Sequence, residues 1–337
     1  MITLTRTMTA MILIGLIAGV VASGVTGSAE AGTNGQTAED AEQKAVLVTG
    51  ASSGIGRKIT ELLAARGVFV YAGARKEKDL KELDTIENVQ SIRLDVTIQE
   101  DIDAAVETVT KEGRGLYGLV NNAGVGMLAP LIEVKESELD FVFDVNIYGP
   151  YRVTKAFSPL IIESKGRIST ISSISGILSG TLYGPYSMSK HAMEAFSDSL
   201  ASEMQRFGVK VSVVEPGQYN SAIGTTLIKR MKAQDIELDG SPYEKEMRAI
   251  IDRGGNRSQF KEPEDVAEAV FHALFDEEPK MRYMVVPNQT EAGWTIRKAI
   301  EELVQLNEGH AYSYDREALI EMLDQALAAP ETGGDGD

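Results

Sequence analysis

The feature that most constrains the fold is a glycine-rich turn near residue 50. An apolar, largely β-branched run over residues 45–49 stops at this turn, whose glycines are Gly50, Gly54 and Gly56. Apolar residues then recur at helical spacing over residues 59–66. A strand, a tight turn and a helix in this order are typical of the first unit of an open parallel α/β sheet.

The same turn is suited to bind a diphosphate. Gly50 allows the chain to turn sharply, Gly54 allows backbone N–H groups to approach a phosphate, and Gly56 allows the helix to pack close to the strand. The following helix directs its positive N-terminal end at this place. On the glycines alone, a phosphate site and a plain βα turn explain the sequence equally well.

Composition excludes several classes of function. The chain has 337 residues, of which 43% are hydrophobic and 25% charged, which is typical of a soluble globular protein with a sizeable core. Its formal net charge of −17 argues against a nucleic-acid partner. The absence of cysteine excludes disulfides and thiolate nucleophiles. His191, His272 and His310 lack metal-ligand spacing, so no metal site is predicted.

The N-terminus differs from the rest of the chain. Residues 8–22 are apolar and uncharged, Arg6 precedes them, and Ala29-Glu30-Ala31 has the form of a cleavage site, so residues 1–31 are predicted to be a signal peptide or a membrane anchor. Residues 32–43 are predicted to be a linker. The domain is expected to be exported (periplasmic) or anchored, and a membrane partner is therefore expected if the segment is retained. The charge pattern favours an outward-facing domain, with a cytoplasmic-facing one as the alternative.

Residues 44–290 are predicted to form one α/β domain with a doubly wound parallel sheet of about seven strands flanked by helices. The predicted strands are residues 45–49, 68–72, 89–96, 118–121, 166–172, 209–214 and 283–286. The principal predicted helices are residues 98–111, 136–157, 186–207 and 263–275.

Three regions break this alternation. Residues 218–260 are polar and long for a connection, which indicates a functional or mobile segment. Residues 291–329 are predicted to be a C-terminal helical extension, with two amphipathic helices within residues 294–327 that pack on the domain, cover the active site or mediate association. Residues 330–337 are rich in glycine and aspartate and are predicted to be a disordered tail.

The end of the second predicted strand favours NADP as cofactor. In a dinucleotide fold this position meets the adenosine ribose, and a carboxylate there selects NAD. Here Arg75 and Lys76 stand instead, and the Arg75 guanidinium suits a 2′-phosphate. NAD remains the alternative, because charged residues also begin ordinary solvated loops. Asp95, after the third strand, either contacts the adenine or caps a turn.

Tyr186 and Lys190 form a candidate acid/base pair. They stand four residues apart, on one face of a predicted helix, as two residues of any amphipathic helix surface also would. A tyrosine with a pKa near 10 is a poor base, and a neighbouring ammonium is expected to lower its pKa. Ser173 follows the fifth strand, where parallel sheets bind their ligands.

Together these motifs resemble the short-chain dehydrogenase/reductases with a Tyr-x-x-x-Lys active site, over residues 44–286. Residues 49–56 (TGASSGIG) look like the cofactor-binding turn of the family. Residues 121–124 (NNAG) resemble the family motif that stabilises the central sheet and lines the adenine ribose side of the site. Asn146 matches the asparagine that holds a water in a proton relay. Pro216-Gly217 resembles the turn beside the nicotinamide, and Ser221 stands where the family often has threonine.

The resemblance implies two sets of site residues. The catalytic set is Asn146, Ser173, Tyr186 and Lys190. The cofactor-binding set is Gly50, Ser52, Ser53, Gly54, Ile55, Gly56, Arg75, Asp95, Val96, Asn122, Ala123, Gly124, Tyr186, Lys190, Pro216, Gly217 and Ser221.

The resemblance also implies hydride transfer between the nicotinamide and a carbonyl carbon. Tyr186 would be the acid in reduction and the base in oxidation, and Ser173 would orient the substrate oxygen. Lys190 would bind the nicotinamide ribose and tune Tyr186, and Asn146 would connect Lys190 to solvent through water. A homodimer or homotetramer is the expected assembly.

The substrate is expected to be an uncharged, lipophilic small molecule, either an alcohol or a carbonyl compound. Its contacts should come from residues 127–130, 177–183 and 218–260, of which the first two segments are mostly apolar. A cofactor-binding regulatory or scaffold protein without chemistry is the alternative from another class. A dehydratase or epimerase on the same fold is a further one, although such enzymes often lack one catalytic position and none is missing here.

Overall fold

The computed structural model describes residues 43–233 and 238–328, and within them a parallel sheet of seven strands. The strands are β1 (Ala45–Thr49), β2 (Phe69–Ala74), β3 (Val89–Arg93), β4 (Gly118–Asn121), β5 (Arg167–Ile171), β6 (Lys210–Pro216) and β7 (Arg282–Val285). The described helices are α1 (Gly54–Ala65), α2 (Glu77–Leu83), α3 (Gln99–Glu112), α4 (Glu136–Phe143), α5 (Gly149–Glu163), α6 (Gly184–Gln205), α7 (Ile223–Ala233), α8 (Glu244–Asp252), α9 (Glu264–Phe275), α10 (Gln289–Asn307) and α11 (Arg316–Ala328).

The strand order β3-β2-β1-β4-β5-β6-β7 reverses direction between β1 and β4. β1 lies at the centre, with Val48 paired to Ala72 on β2 and to Val120 on β4. All five β1 residues are buried, as expected for a parallel strand covered on both faces. The crevice at the carboxyl edge of such a reversal is where open α/β sheets bind ligands.

Helices cover both faces of the sheet and form a core on each. Leu47 and Leu119 share one core with Phe157 on α5. Val46 and Val48 share the other with Ile59 on α1, and α9 packs beside α1 in this layer. This architecture confirms the doubly wound parallel α/β fold and the number of strands predicted from the sequence.

Two helices differ from those predicted from the sequence. The predicted helix over residues 136–157 is α4 and α5 joined by a π-helical turn at Asp144–Tyr148, and α5 continues to Glu163. The short helix α2 was not predicted, because its seven residues carry no extended apolar stripe.

The long polar connection at residues 218–260 holds α7 and α8. Their apolar residues, among them Leu227 and Met247, form a third cluster with Met127 and Leu182, which lie in the two predicted substrate segments. The apolar faces of α7 and α8 therefore pack beside the carboxyl edge of the sheet.

The two predicted C-terminal helices are α10 and α11. Ile296, Ile300 and Leu303 on α10 are more than half exposed, as is Leu323 on α11. The N-terminal turn of α10 is the exception, because Glu291 and Thr295 are buried.

Several predictions lie outside the described residues: the signal or anchor at residues 1–31, the linker apart from Gln43, and the tail. Within residues 43–233 and 238–328 no helix is both long and apolar enough to cross a bilayer.

Candidate active site

The carboxyl ends of the central strands bring the predicted site residues to one edge. The glycine turn follows β1, Asn122 follows β4, Ser173 follows β5, and Gly217 follows β6. Because these strands are parallel neighbours, residues far apart in sequence meet in one crevice.

The glycine turn has the backbone that its spacing predicts. Gly50 and Gly54 have φ angles of 67° and 55°, which favour glycine. A Cβ atom on Gly56 would overlap Asn122 Nδ2 and the carbonyl oxygen of Gly50. The loop after β6 approaches the turn closely, since a Cβ on Gly54 would lie 3.1 Å from Ser221 Cβ.

Thr49, to which the sequence analysis gave no separate role, joins this turn to the strand beside it. Its Oγ1 atom accepts 3.0 Å hydrogen bonds from the backbone N–H groups of both Asn122 and Ala123. Asn122 Nδ2 donates in return to the carbonyl of Thr49 at 2.8 Å and to that of Gly50 at 3.2 Å. The sequence offered one signal for this role, a hydroxyl residue directly before the first glycine. The hydrogen-bond partners of that hydroxyl lie over 70 residues away and could not be predicted from it.

The remaining residues of the turn lie where α1 begins. Ser53 precedes α1 in an extended conformation and its side chain does not cap the helix. Ser52 is half-buried and Ser53 exposed, and Ile55 packs against one of the cores. The two serine side chains thus border the crevice.

Arg75 and Asp95 lie together at the outer end of the crevice. Arg75 Nη1 is 3.5 Å from Asp95 Oδ2, and the Arg75 side chain is 57% exposed. Asp95 Oδ1 caps a turn by accepting bonds from Thr97 N–H at 3.0 Å and from its hydroxyl at 2.8 Å. Burial raises the pKa of Asp95, but the hydrogen bonds from Thr97 and the charge of Arg75 outweigh burial and hold it below its usual value. Val96 is buried.

Asn146 lies in the π-helical turn between α4 and α5. Its Oδ1 atom accepts a 2.8 Å bond from Val125 N–H, and its Nδ2 atom donates to Val125 O at 2.9 Å and to Ser189 Oγ at 3.0 Å. π-Helical turns are frequent at functional sites. A Cβ atom on Gly124 would lie 3.4 Å from Asn146 Oδ1 and 3.9 Å from Lys190 Nζ, so these groups surround one small space.

Ser173, Tyr186 and Lys190 come together beside that space. Ser173 Oγ accepts from Ser175 N–H at 3.1 Å and donates to Pro216 O at 3.4 Å. Lys190 Nζ donates a 2.9 Å bond to Ile171 O and lies 5.7 Å from the centroid of the Tyr186 ring. The structure therefore gathers the four predicted catalytic side chains in one place.

Burial controls the ionisation of this pair. Burial lowers the pKa of Lys190 to about 8, although Glu194 opposes the shift, so the lysine remains charged at pH 7. Burial also raises the pKa of Tyr186, and the nearby Ser173 hydroxyl and Arg257 charge reduce that rise only in part. The direction for Tyr186 differs from the sequence-based expectation, because desolvation of the phenolate dominates.

Two charged residues that sequence reasoning missed contact the loop after β6. Arg257 Nε donates to the carbonyl oxygen of Tyr219 at 2.9 Å. Glu291 Oε2, from the first turn of α10, accepts from Gln218 N–H at 2.8 Å, and a Cβ atom on Gly217 would overlap it. The length and polarity of residues 218–260 were the only signal for Arg257, and nothing local marked Glu291.

Comparison with known proteins places this geometry in context. The family model described as short chain dehydrogenase matches residues 44–232. The chain is 34% identical to an uncharacterized Escherichia coli oxidoreductase, YbbO, covering 72% of this chain and 86% of that one. It is 35% identical to the mitochondrial D-beta-hydroxybutyrate dehydrogenase of rat (73% and 78% covered) and 34% identical to human retinol dehydrogenase 16 (75% and 82% covered).

Solved structures agree with these matches. A short-chain dehydrogenase from Streptomyces avermitilis superposes with a TM-score of 0.64 at 29% identity, covering 86% of this chain and all of that one. A single-residue variant of actinorhodin polyketide ketoreductase, solved with NADPH, superposes with a TM-score of 0.59 at 29% identity, covering 73% and 95%.

Proposed function

Since the chain belongs to the short-chain dehydrogenase family and is an oxidoreductase of that family, we propose that it interconverts an alcohol and a ketone or aldehyde with Tyr186 as acid and base. The observation that carries the proposal is the convergence of Ser173, Tyr186, Lys190 and Asn146 at the carboxyl edge of the sheet. All four side chains are of the type that this chemistry requires.

The residues present fit a nicotinamide dinucleotide. The glycine turn leaves no room for a side chain at Gly56, and its backbone lies at the N-terminal end of α1, which suits a diphosphate. Such a cofactor, when bound, supplies or accepts a hydride. Gly50 and Gly54 would hold the diphosphate, Pro216-Gly217 would border the nicotinamide, and Ser221 would touch its carboxamide.

The chain's own groups carry the proton. In reduction, the Tyr186 hydroxyl would give its proton to the carbonyl oxygen of the substrate; in oxidation, the Tyr186 phenolate would take the proton back from the alcohol. Ser173 donates a hydrogen bond that holds the reacting oxygen near Tyr186. The charged Lys190 favours the phenolate, and Asn146 positions Lys190 and a proton path to solvent. The raised pKa of Tyr186 keeps it protonated and ready to act as the acid.

We propose NADP rather than NAD as the cofactor, because Arg75 directly follows β2, at the position that meets the adenosine ribose in dinucleotide folds. Its exposed guanidinium is held at 3.5 Å from Asp95, which leaves donors for a 2′-phosphate. No carboxylate occupies residues 73–76 at the end of β2 to select a free ribose hydroxyl.

We propose a lipophilic substrate because apolar segments border the site. The N–H of Ala129 bonds to the carbonyl of Leu182 at 2.9 Å, which joins the two predicted substrate segments. Leu131, Ile132 and Tyr183 are exposed large hydrophobic residues beside them. A homo-oligomer is also proposed, and the exposed Tyr148 and Tyr151 of the region around α5 support it; light scattering on purified protein tests it.

The experiment on the full-length protein combines cofactor binding with turnover of a panel of apolar ketones. Tyr186→Phe should lower kcat by about 10²- to 10⁴-fold, the range of acid–base catalysis, while the Kd for NADPH stays near the wild-type value. Tyr312→Phe is the matched control, because Tyr312 is 82% exposed and has no proposed role. Full activity in Tyr186→Phe would refute the mechanism. Cofactor binding by the wild type without turnover of any ketone would favour the regulatory protein instead.

A further inference from the structure

Arg257 lies on the connection between α8 and α9, and three contacts hold it at the site. Its Nε atom donates to Tyr219 O at 2.9 Å, and its guanidinium carbon lies 4.9 Å from the Phe260 ring centroid. Close backbone packing brings this connection onto α7: a Cβ atom on Gly224 would overlap Gly255 O and lie 3.3 Å from Arg257 Cδ. The side chain therefore has a defined place.

The guanidinium retains unused donors. Arginine has five N–H donors, and within residues 43–233 and 238–328 the Nε bond to Tyr219 is the only hydrogen bond of this side chain. Three other arginines behave differently: Arg66, Arg152 and Arg230 each bond a carboxylate at 2.6–2.8 Å. Arg257 is half-buried and forms no such ion pair with a described residue. A partly desolvated guanidinium without an anion is a costly arrangement unless a ligand supplies one.

Arg257 lies within electrostatic range of the candidate reaction site. Tyr183, Tyr186 and Glu291 are the titratable groups that act on it, and burial keeps its pKa below the usual arginine value. Both oxygens of Glu291 are already engaged, by Gln218 N–H at 2.8 Å and Asn288 Nδ2 at 3.0 Å. The two tyrosines belong to the start of α6, where the proposed acid/base residue stands.

Arg257 and the proposed position of the reacting substrate oxygen lie beside the same segment of backbone. The carbonyl that it bonds belongs to Tyr219, three residues after Pro216, whose own carbonyl accepts from Ser173 Oγ. A substrate anion bound by the Arg257 guanidinium and a substrate carbonyl group bound by Ser173 would thus both lie beside residues 216–219.

We propose that Arg257 binds an anionic group of the substrate, a carboxylate or a comparable oxyanion, so that the enzyme acts on oxo or hydroxy acids with an apolar body. The planar fork of arginine matches a carboxylate with two parallel hydrogen bonds. The apolar segments around Met127 and Leu182 accommodate the rest of such a molecule. This inference rests on the proposed function and narrows its substrate class.

The test compares acids with their neutral esters. The full-length enzyme is assayed with 4-, 5- and 6-oxodecanoate and with the methyl ester of each. For the best acid, the ratio of kcat/KM for the acid to that for the ester should fall about 10- to 100-fold in Arg257→Gln, as expected on losing hydrogen bonds between charged groups. Arg257→Lys should retain an intermediate ratio. The ratio also cancels any effect of the lost charge on Tyr186.

Arg253→Gln is the matched control, because Arg253 is an exposed arginine four residues away without an ion pair to a described residue. Its ratio should equal the wild-type ratio. An unchanged ratio in Arg257→Gln, or equal losses for acid and ester, would overturn the proposal.

Cofactor affinity distinguishes the two anions that Arg257 could bind, a substrate carboxylate and a cofactor phosphate. The Kd values for NADPH and NADH should be similar in Arg257→Gln and in the wild type. A tenfold weaker cofactor affinity with an unchanged acid-to-ester ratio would assign Arg257 to a cofactor phosphate and overturn the proposal.

Binding also separates this inference from the proposed function. If the wild type turns over neither acids nor esters, the proposed function fails, and calorimetry with saturating NADP and decanoate or decanamide still tests the subsite. Decanoate should bind at least tenfold more tightly than decanamide to the wild type, and this preference should vanish in Arg257→Gln. Equal affinities in the wild type would overturn the anion subsite itself.

Discussion

Glu291 links helix α10 to residues 216–218, which we propose to border the nicotinamide. Its removal should therefore weaken both the fold and cofactor binding. The side chain is 4% exposed and accepts hydrogen bonds from Gln218 N–H at 2.8 Å and Asn288 Nδ2 at 3.0 Å. Asn288 Oδ1 in turn accepts from Glu291 N–H at 3.0 Å, which completes a reciprocal cap of α10.

Glu291→Ala removes the acceptor of the partly buried Gln218 N–H and of the exposed Asn288 amide. A hydrogen bond to a charged group contributes about 1.5–3 kcal/mol, and water replaces the bond at Asn288 in part, so the free energy of unfolding should fall by about 3 kcal/mol. With an unfolding entropy of about 2.1 cal/mol/K per residue over roughly 290 residues, the melting temperature should then fall by about 5 °C. Glu291→Gln keeps one acceptor oxygen for Gln218 and should lose about 1 kcal/mol.

Urea unfolding followed by tryptophan fluorescence measures the stability, and NADPH titration measures the Kd. The Kd should rise several-fold in Glu291→Ala, because residues 216–218 lose their anchor. Glu301→Ala, an exposed carboxylate on the same helix, is the control and should change neither quantity. If Glu291→Ala is no less stable than Glu301→Ala, the link between α10 and the turn does not contribute to the fold.

Three further predictions concern other parts of the sheet edge. Arg75→Ala should weaken NADPH binding about 10- to 100-fold and NADH binding far less, measured as Kd values. Burial raises the pKa of Glu215 to about 8, so the free energy of unfolding should fall as the pH rises from about 4.5 to 8. Glu215→Gln should make this fall smaller by on the order of a few kcal/mol, measured by urea titrations at several pH values. Thr49→Val leaves the N–H groups of Asn122 and Ala123 without an acceptor and should cost about 2–4 kcal/mol of unfolding free energy.

The controls for these variants are conservative or exposed neighbours. Lys76→Ala should affect NADPH and NADH alike, and equal losses for both cofactors in Arg75→Ala would disprove its contact with the 2′-phosphate. Thr49→Ser keeps the hydroxyl and should retain most of the stability. For Glu215 the sign follows from linkage: the folded protein holds a proton that the unfolded chain has lost, so the stabilisation is complete below the unfolded pKa and disappears above the folded one. A pH profile in Glu215→Gln identical to that of the wild type would refute this assignment.

The order of strands and helices and the residues that we propose to be catalytic were accessible from the sequence because both depend on local patterns. Periodicity identified β1 and the sheet, the glycine spacing indicated the turn after β1, and the combination of motifs singled out Tyr186 and Lys190 as candidates. These signals act within a few residues and do not require knowledge of the chain's path.

What only the tertiary structure decided are contacts across long separations and the balance of electrostatic effects. Gln218 meets Glu291 from 73 residues away, and Arg257 meets Tyr219 from 38 residues away, so no local pattern announces either pair. The direction of the Tyr186 pKa depends on how completely the phenol is buried, and burial is a property of the packed molecule. The sequence by itself determined which groups carry the proposed reaction, and the packing determined which charges surround them.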